Sequence, residues 1–179
     1  GVAVATTSSQ IQQLLPNADI ALMAARRAMG ATVCVYSPEI AERHTHESEA
    51  RRLIHQALDH DRVRIHLQPV FSSDTGALAG AEALMRLVDE DGRVHAPAAF
   101  IEVAGASGLI LPLGRMALRQ SLEMIATHAT EWRGLRLAVN ASVPELADPH
   151  YVNDLLALMA ELQVPTTMLV VEVTEHTLL

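Results

Sequence analysis

The sequence predicts an α/β fold, either a barrel or an open α/β sheet, on three observations. Val63, Ile65, Leu67 and Pro69 alternate with Arg64, His66, Gln68 and Val70, the period-two pattern of a strand with two unlike faces. From Pro97 onward, stretches of helical periodicity alternate with short apolar runs, the order of a parallel sheet crossed by helices. Met168 to Val173 is a near-continuous apolar run, as expected of a parallel strand covered on both faces.

In chain order, residues 1–6 read as the end of a buried strand. Asn17 is the expected N-cap of a helix running through about Met29, with Gly30 as its stop. Thr32 to Tyr36 is a short β-branched run, so residues 1–38 have a β-α-β pattern too small to bury a core alone. Ser37-Pro38 breaks that pattern. From Glu39 to Asp61 the composition turns charged, and Ala50, Leu53, Ile54, Ala57 and Leu58 recur at helical spacing, an amphipathic helix read as the joint between two domains. The expected division is therefore 1–38, a linker over 39–61, and 62–179.

After the joint, Ser72-Ser73-Asp74-Thr75-Gly76 is turn chemistry, and Ala77 to Leu87 resumes as a second strand, predicting an antiparallel hairpin. Pro97 to Ala106 starts a short helix and Leu113 to Ala126 forms a longer one. Leu135 to Val139 is a strand, and Tyr151 to Leu162 is a helix with Val152, Leu155, Leu156, Met159 and Leu162 on one stripe. A complete barrel of this type needs roughly 250 residues, so residues 62–179 are expected to be part of one. The chain opens on Gly-Val-Ala-Val-Ala without an initiator Met, and is expected to be a piece of something longer.

Composition narrows the function. Half of the 179 residues are hydrophobic and 19% are charged, which excludes compositional disorder. No run approaches the ~20 apolar residues needed to span a bilayer. The formal net charge of −8 disfavours a nucleic acid polymer as partner. All 13 basic residues are arginine, which removes a Walker lysine, and no Gly-x-Ser-x-Gly elbow is present. The single Cys34 excludes a disulfide framework and fits a reducing compartment, so a cytoplasmic location is expected.

Three polar residues stand where apolar strands end: Glu82 in Ala-Glu-Ala-Leu, Asn140 in Leu-Ala-Val-Asn, and Glu172 in Val-Val-Glu-Val. In a parallel barrel such ends share the rim that carries the active site. Two carboxylates and an amide oxygen are a hard, oxygen-only set that suits Mg²⁺ or Mn²⁺ and not zinc. Glu82, Leu84 and Arg86 point one way on an extended strand, and a guanidinium fork matches phosphate oxygens. Glu172 and Glu175 fall on opposite faces, so Glu175 reads as the brace of a loop. Pattern alone leaves a structural alternative open: solvated rim acids, an Arg86–Glu82 pair, and Asn140 as a turn or cap residue.

These residues resemble a known family. Leu67-Gln68-Pro69-Val70 followed by Gly80-Ala81-Glu82-Ala83-Leu84-Met85-Arg86 resembles the start of an EAL domain, the cyclic di-GMP phosphodiesterase module of bacteria. Phe100-Ile101-Glu102-Val103-Ala104, Gly108 to Gly114, Val139-Asn140-Ala141-Ser142 and Glu172-Val173-Thr174-Glu175 are similar to further motifs of that family, in the same order. Ala18-Asp19-Ile20-Ala21-Leu22-Met23 and Ala25-Arg26 resemble the tail of a GGDEF domain, with Met23 and Arg26 in place of an aromatic and a lysine; the Gly-Gly-Asp-Glu-Phe motif itself is not in this chain.

The resemblance implies an incomplete EAL-type modified (β/α)8 barrel with an antiparallel first strand, preceded by a β-α-β remnant of a GGDEF domain and a connecting helix. It implies that Glu82, Asn140 and Glu172 are ligands of Mg²⁺ or Mn²⁺ and that Gln68, Leu84 and Arg86 contact the dinucleotide. Glu175 would steady a loop coupling the active site to a homodimer interface, and the catalytic group would be Glu82, Glu172 and Glu175. The implied activity is metal-dependent hydrolysis of cyclic di-GMP to linear pGpG, and the alternative is an inactive EAL module serving as a cyclic di-GMP receptor or protein scaffold. The family pattern departs at Leu67 and Leu87, where aromatics are common, and the family's Asp-Asp-Phe-Gly segment and lysine would follow Leu179.

Overall fold

The computed structural model describes residues 1–27 and 33–173, with the side chains of Ser9 and Arg27 excepted. It divides into two compact units, Gly1–Ala50 and Arg51–Leu179.

In the first unit Thr7 and Gln10 form a capping box that starts a 3-10 turn, Ser8–Gln13, which runs directly into α1 (Leu14–Arg27). Gln10 Oε1 accepts the N–H groups of Thr6 at 2.8 Å and Thr7 at 3.3 Å. Satisfying these donors begins the helical run upstream of Asn17, which lies inside α1 and does not cap it as the sequence suggested. Pro16 falls in the first turn of α1, where a missing N–H is tolerated. The two expected strands shrink to one parallel bridge, Val2 with Val35. Val2 N–H donates to the Cys34 carbonyl at 2.9 Å and Tyr36 N–H to that of Val2 at 2.7 Å. Met29, Gly30 and Thr32 lie outside the described residues.

Ser37-Pro38 starts the next element as well as ending the previous one. The Ser37 hydroxyl accepts the Ile40 N–H at 3.4 Å, and Pro38 opens α2 (Pro38–Asp59) in the position where its fixed φ is preorganised. Ala50, Leu53, Ile54 and Ala57 of the expected stripe are buried. Among the described residues no helix is long and apolar enough to cross a membrane.

The second unit is built on one mixed sheet. β1 (Val63–Phe71) and β2 (Leu78–Val88) form the antiparallel hairpin, β4 (Arg136–Ala141) lies parallel to β2, and β5 (Leu169–Val173) lies parallel to β4. The two-residue β3 (Val94–His95), too short to show periodicity, folds back on the end of β2. Gly76 closes the hairpin with φ +68°, a left-handed conformation that glycine adopts without strain. Gly80 is required for another reason: a Cβ there would overlap the Arg136 backbone of β4.

Helices cover one face of this sheet. Ala81, Ala83, Leu137 and Val139 pack with Leu122 and Ile125 of α4 (Ile110–Thr127) and with Leu155 and Met159 of α6 (Tyr151–Glu161). Trp132 and Val164 complete this core. A 3-10 turn at Pro97–Ala99 and α3 (Ile101–Ser107) precede α4, with the fully buried Phe100 between them. The short α5 (Val143–Leu146) and a 3-10 turn at Thr166–Met168 were not expected. The strand expected to be covered on both faces, β5, is half-buried at Leu169, Val170 and Val171 and exposed at Glu172 and Val173, with Leu169 and Val171 at the margin of the core.

Candidate functional site: a polar row on the open face of the sheet

Strand register collects the site. Gln68 stands opposite Glu82 across the hairpin, Glu82 opposite Ala138 on β4, and Asn140 opposite Glu172 on β5. Registered partners share a face and so do residues two apart on one strand, so Gln68, Glu82, Asn140 and Glu172 all face the side opposite Ala81, Ala83, Leu137 and Val139. This is the open face. The same alternation puts Leu84 and Arg86 of β2 on it, opposite His66 and Arg64 of β1.

Glu82 is half-buried, while Gln68, Asn140 and Glu172 are exposed. Asn140 Nδ2 donates to Glu82 Oε1 at 2.7 Å, across residues far apart in sequence. Among the described residues neither Asn140 Oδ1 nor Glu82 Oε2 makes a further hydrogen bond. Two of the alternatives left open by the sequence bear on these bonds. Glu82 pairs with Asn140, and Arg86 instead donates from Nη1 to the Met85 carbonyl at 2.8 Å. Asn140 caps nothing, because the N-cap of α5 is Ser142. Glu175 lies outside the described residues.

The donor chemistry fits a hard divalent cation: two carboxylates and an amide oxygen, with no thiol or imidazole among them. Among the described residues no three His, Cys, Asp or Glu side chains gather closely enough to hold a metal, so any ion here depends on the Asn140 amide. A cavity of about 330 Å³ lies behind the row on the covered side, against Ile65, Ala83, Val139 and Leu118, and is largely apolar. At its edge sits Glu145, a residue the sequence reading passed over. Its signal was present as Ser142-x-x-Glu145, the spacing of a capping box. Burial, and then the charge of Glu145, push the Tyr151 phenol upward from its ordinary value.

Comparison with known proteins follows this geometry. The family profile described as EAL domain matches residues 51–179. Signaling protein YkoW of Bacillus subtilis (strain 168) is 30% identical over 163 residues, covering 91% of this chain and 20% of that protein. Cyclic di-GMP phosphodiesterase PdeR of Escherichia coli (strain K12) is 31% identical over 166 residues, covering 93% of this chain and 25% of the relative. Among solved structures, the FimX EAL domain from Pseudomonas aeruginosa bound to c-di-GMP superposes with a TM-score of 0.64 at 26% identity, covering 72% of this chain and 51% of that one. The chain thus spans a quarter or less of those two curated relatives. The profile takes in both strands of the hairpin, the Asn140 strand and the Glu172 strand, and the chain belongs to the EAL domain family.

Proposed function

We propose that this chain contributes Glu82, Asn140 and Glu172 to the metal site of a bacterial cyclic di-GMP phosphodiesterase, whose complete EAL domain hydrolyses one phosphodiester to linear pGpG. The observation that carries this reading is the hydrogen-bonded Glu82–Asn140 pair within a polar row that strand register draws from β1, β2, β4 and β5. Glu82, Asn140 and Glu172 would hold Mg²⁺ or Mn²⁺, which when bound supplies Lewis acidity to a phosphodiester and its attacking water. The chain's own groups bind and orient. Asn140 is held by its Nδ2 donation to Glu82, and its Oδ1 would serve the cation. Arg86 shares the face of Glu82 and offers a fork to a phosphate once it leaves the Met85 carbonyl. Gln68, opposite Glu82, supplies an amide to the dinucleotide, and Leu84 between Glu82 and Arg86 supplies apolar surface to a base.

Residues 1–38 are proposed as the tail of a GGDEF domain, supported by the parallel Val2–Val35 bridge on either side of α1. Residues 39–61 then form the linker and 62–179 the EAL portion. Glu175 is proposed to steady a loop toward a homodimer interface, in a cytoplasmic protein. The second reading, a receptor that binds cyclic di-GMP without cleaving it, is favoured by the likeness to a FimX domain described as bound to that ligand. Turnover of cyclic di-GMP with Mn²⁺ by the full-length protein separates the two. Appearance of pGpG, abolished by Glu82→Ala, is the expected result. Binding with intact substrate supports the receptor, and absence of both binding and turnover rejects either reading.

A further inference from the structure

Ser121 and Glu145 are the buried polar side chains among the described residues, and only Glu145 carries a charge. The residue keeps 8% of its exposure, and burying a carboxylate is costly unless hydrogen bonds compensate. Both compensating bonds go to one residue: Glu145 Oε2 accepts the Ser142 N–H at 2.8 Å and the Ser142 hydroxyl at 2.5 Å. The other oxygen, Oε1, lies against Gly114 of α4, where a Cβ would overlap the carboxylate. Helix α4 therefore has a gap at the one position that admits this acid. The helix it caps has four residues, too short to hold the corner by its own backbone bonds.

The corner is the end of β4. Asn140 faces the open side, Ala141 is buried on the covered side, and Ser142 follows immediately. Where Ser142 is fixed, the backbone that aims Asn140 at Glu82 is fixed from behind. We propose that Glu145 is a positioning residue for Asn140. From a seat left open by Gly114, it clamps the N–H and hydroxyl of Ser142 and so holds the Asn140 amide against Glu82. The metal consequence rests on the reading of Asn140 as a ligand; the clamp itself does not.

Two readouts on the full-length protein test this: Mn²⁺ affinity from the paramagnetic resonance of free Mn²⁺, and amide hydrogen exchange at residues 140–142 in metal-free protein. Glu145→Gln keeps an acceptor oxygen and should match wild type in both. Glu145→Ala should weaken Mn²⁺ about tenfold, as loss of a group orienting a metal ligand does, and should speed exchange at 140–142. Gly114→Ala should do the same alone and add nothing in the Glu145→Ala background. Should Glu145→Ala fail to fold, Ser142→Ala removes both bonds of the hydroxyl, to Glu145 Oε2 and from the Glu145 N–H, keeps the Ser142 N–H bond to the carboxylate, and is expected to weaken Mn²⁺ about fivefold. Wild-type affinity and wild-type exchange in these alanine variants would overturn the clamp. If wild type takes up no Mn²⁺, the proposed function fails, and exchange alone decides: faster at 140–142 supports the clamp, unchanged rejects it.

Discussion

The two faces of the β1-β2-β4-β5 sheet are built from the same strands, one residue out of step. On the covered face Ala81, Ala83, Leu137 and Val139 meet α4 and α6 in an apolar core. On the open face, the next residues along, Glu82 and Asn140, form a hydrogen-bonded polar pair in a row with Gln68 and Glu172. Because side chains alternate with period two, a slip of one residue would send every member of each set to the wrong side. The core that stabilises the unit is therefore also what fixes the register of the site. Core packing resides on one face and the proposed binding groups on the other.

That separation can be broken experimentally. Glu82→Ala should have the largest effect on function, reducing pGpG formation to background while leaving the thermal midpoint near that of wild type. Leu137→Ala, a fully buried core truncation, should do the converse. It is expected to cost about 3 kcal/mol of stability in urea unfolding, while the folded fraction keeps its affinity for cyclic di-GMP. A Glu82→Ala protein that unfolds like the Leu137 variant would show that the faces are not independent. Arg86→Lys keeps the charge and loses the fork, and should raise KM about tenfold with the melting curve unchanged.

The smallest effect concerns a turn that belongs to neither face. Asp89 accepts from His95 Nε2 at 2.7 Å and from the Arg93 N–H at 2.8 Å, and these bonds hold its carboxyl below the usual aspartate value, with the His95 bond the larger cause. A group whose pKa is depressed on folding contributes its stability above the unfolded value and loses it as pH falls through the folded one. Protection of the amides of residues 89–95, taken relative to their intrinsic exchange rates at each pH, should thus fall as pH drops below the ordinary aspartate range of about 3.9, and Asp89→Asn should remove that dependence. Acid sensitivity confined to this turn sharpens the comparison. Simultaneous loss of the core would blur it.

Much of this arrangement is legible in the sequence where one physical rule dominates. The alternation from Val63 to Val70 and the Ser72–Gly76 turn chemistry give the hairpin, and polar residues set in apolar strands give Glu82, Asn140 and Glu172 as a set, although Glu82 lies inside β2 and not at its end as the sequence suggested. Reading fails where two local signals compete. Asn17 is a good N-cap residue, but the Thr7–Gln10 box acts first and the helix is already under way. The apolar run at Leu169–Val173 looks like a strand buried on both sides, yet apolar composition alone does not report coverage, and the strand is half-buried at its start and exposed at Val173. The capping spacing of Ser142 and Glu145 is legible, but the seat of Glu145 against Gly114 is not, because Gly114 lies on a different helix and complementarity between a side chain and a gap leaves no periodic trace.

The central claim is that the open-face row is a divalent-metal site organised by Glu82 and Asn140. Its most direct test is the Mn²⁺ binding isotherm of the full-length protein beside that of Glu82→Gln, a substitution that preserves shape and removes charge. The structure predicts a saturable site in wild type that is lost, or weakened at least about tenfold, in the variant. Equal isotherms for the two proteins would contradict the assignment and leave the row a polar surface without a metal.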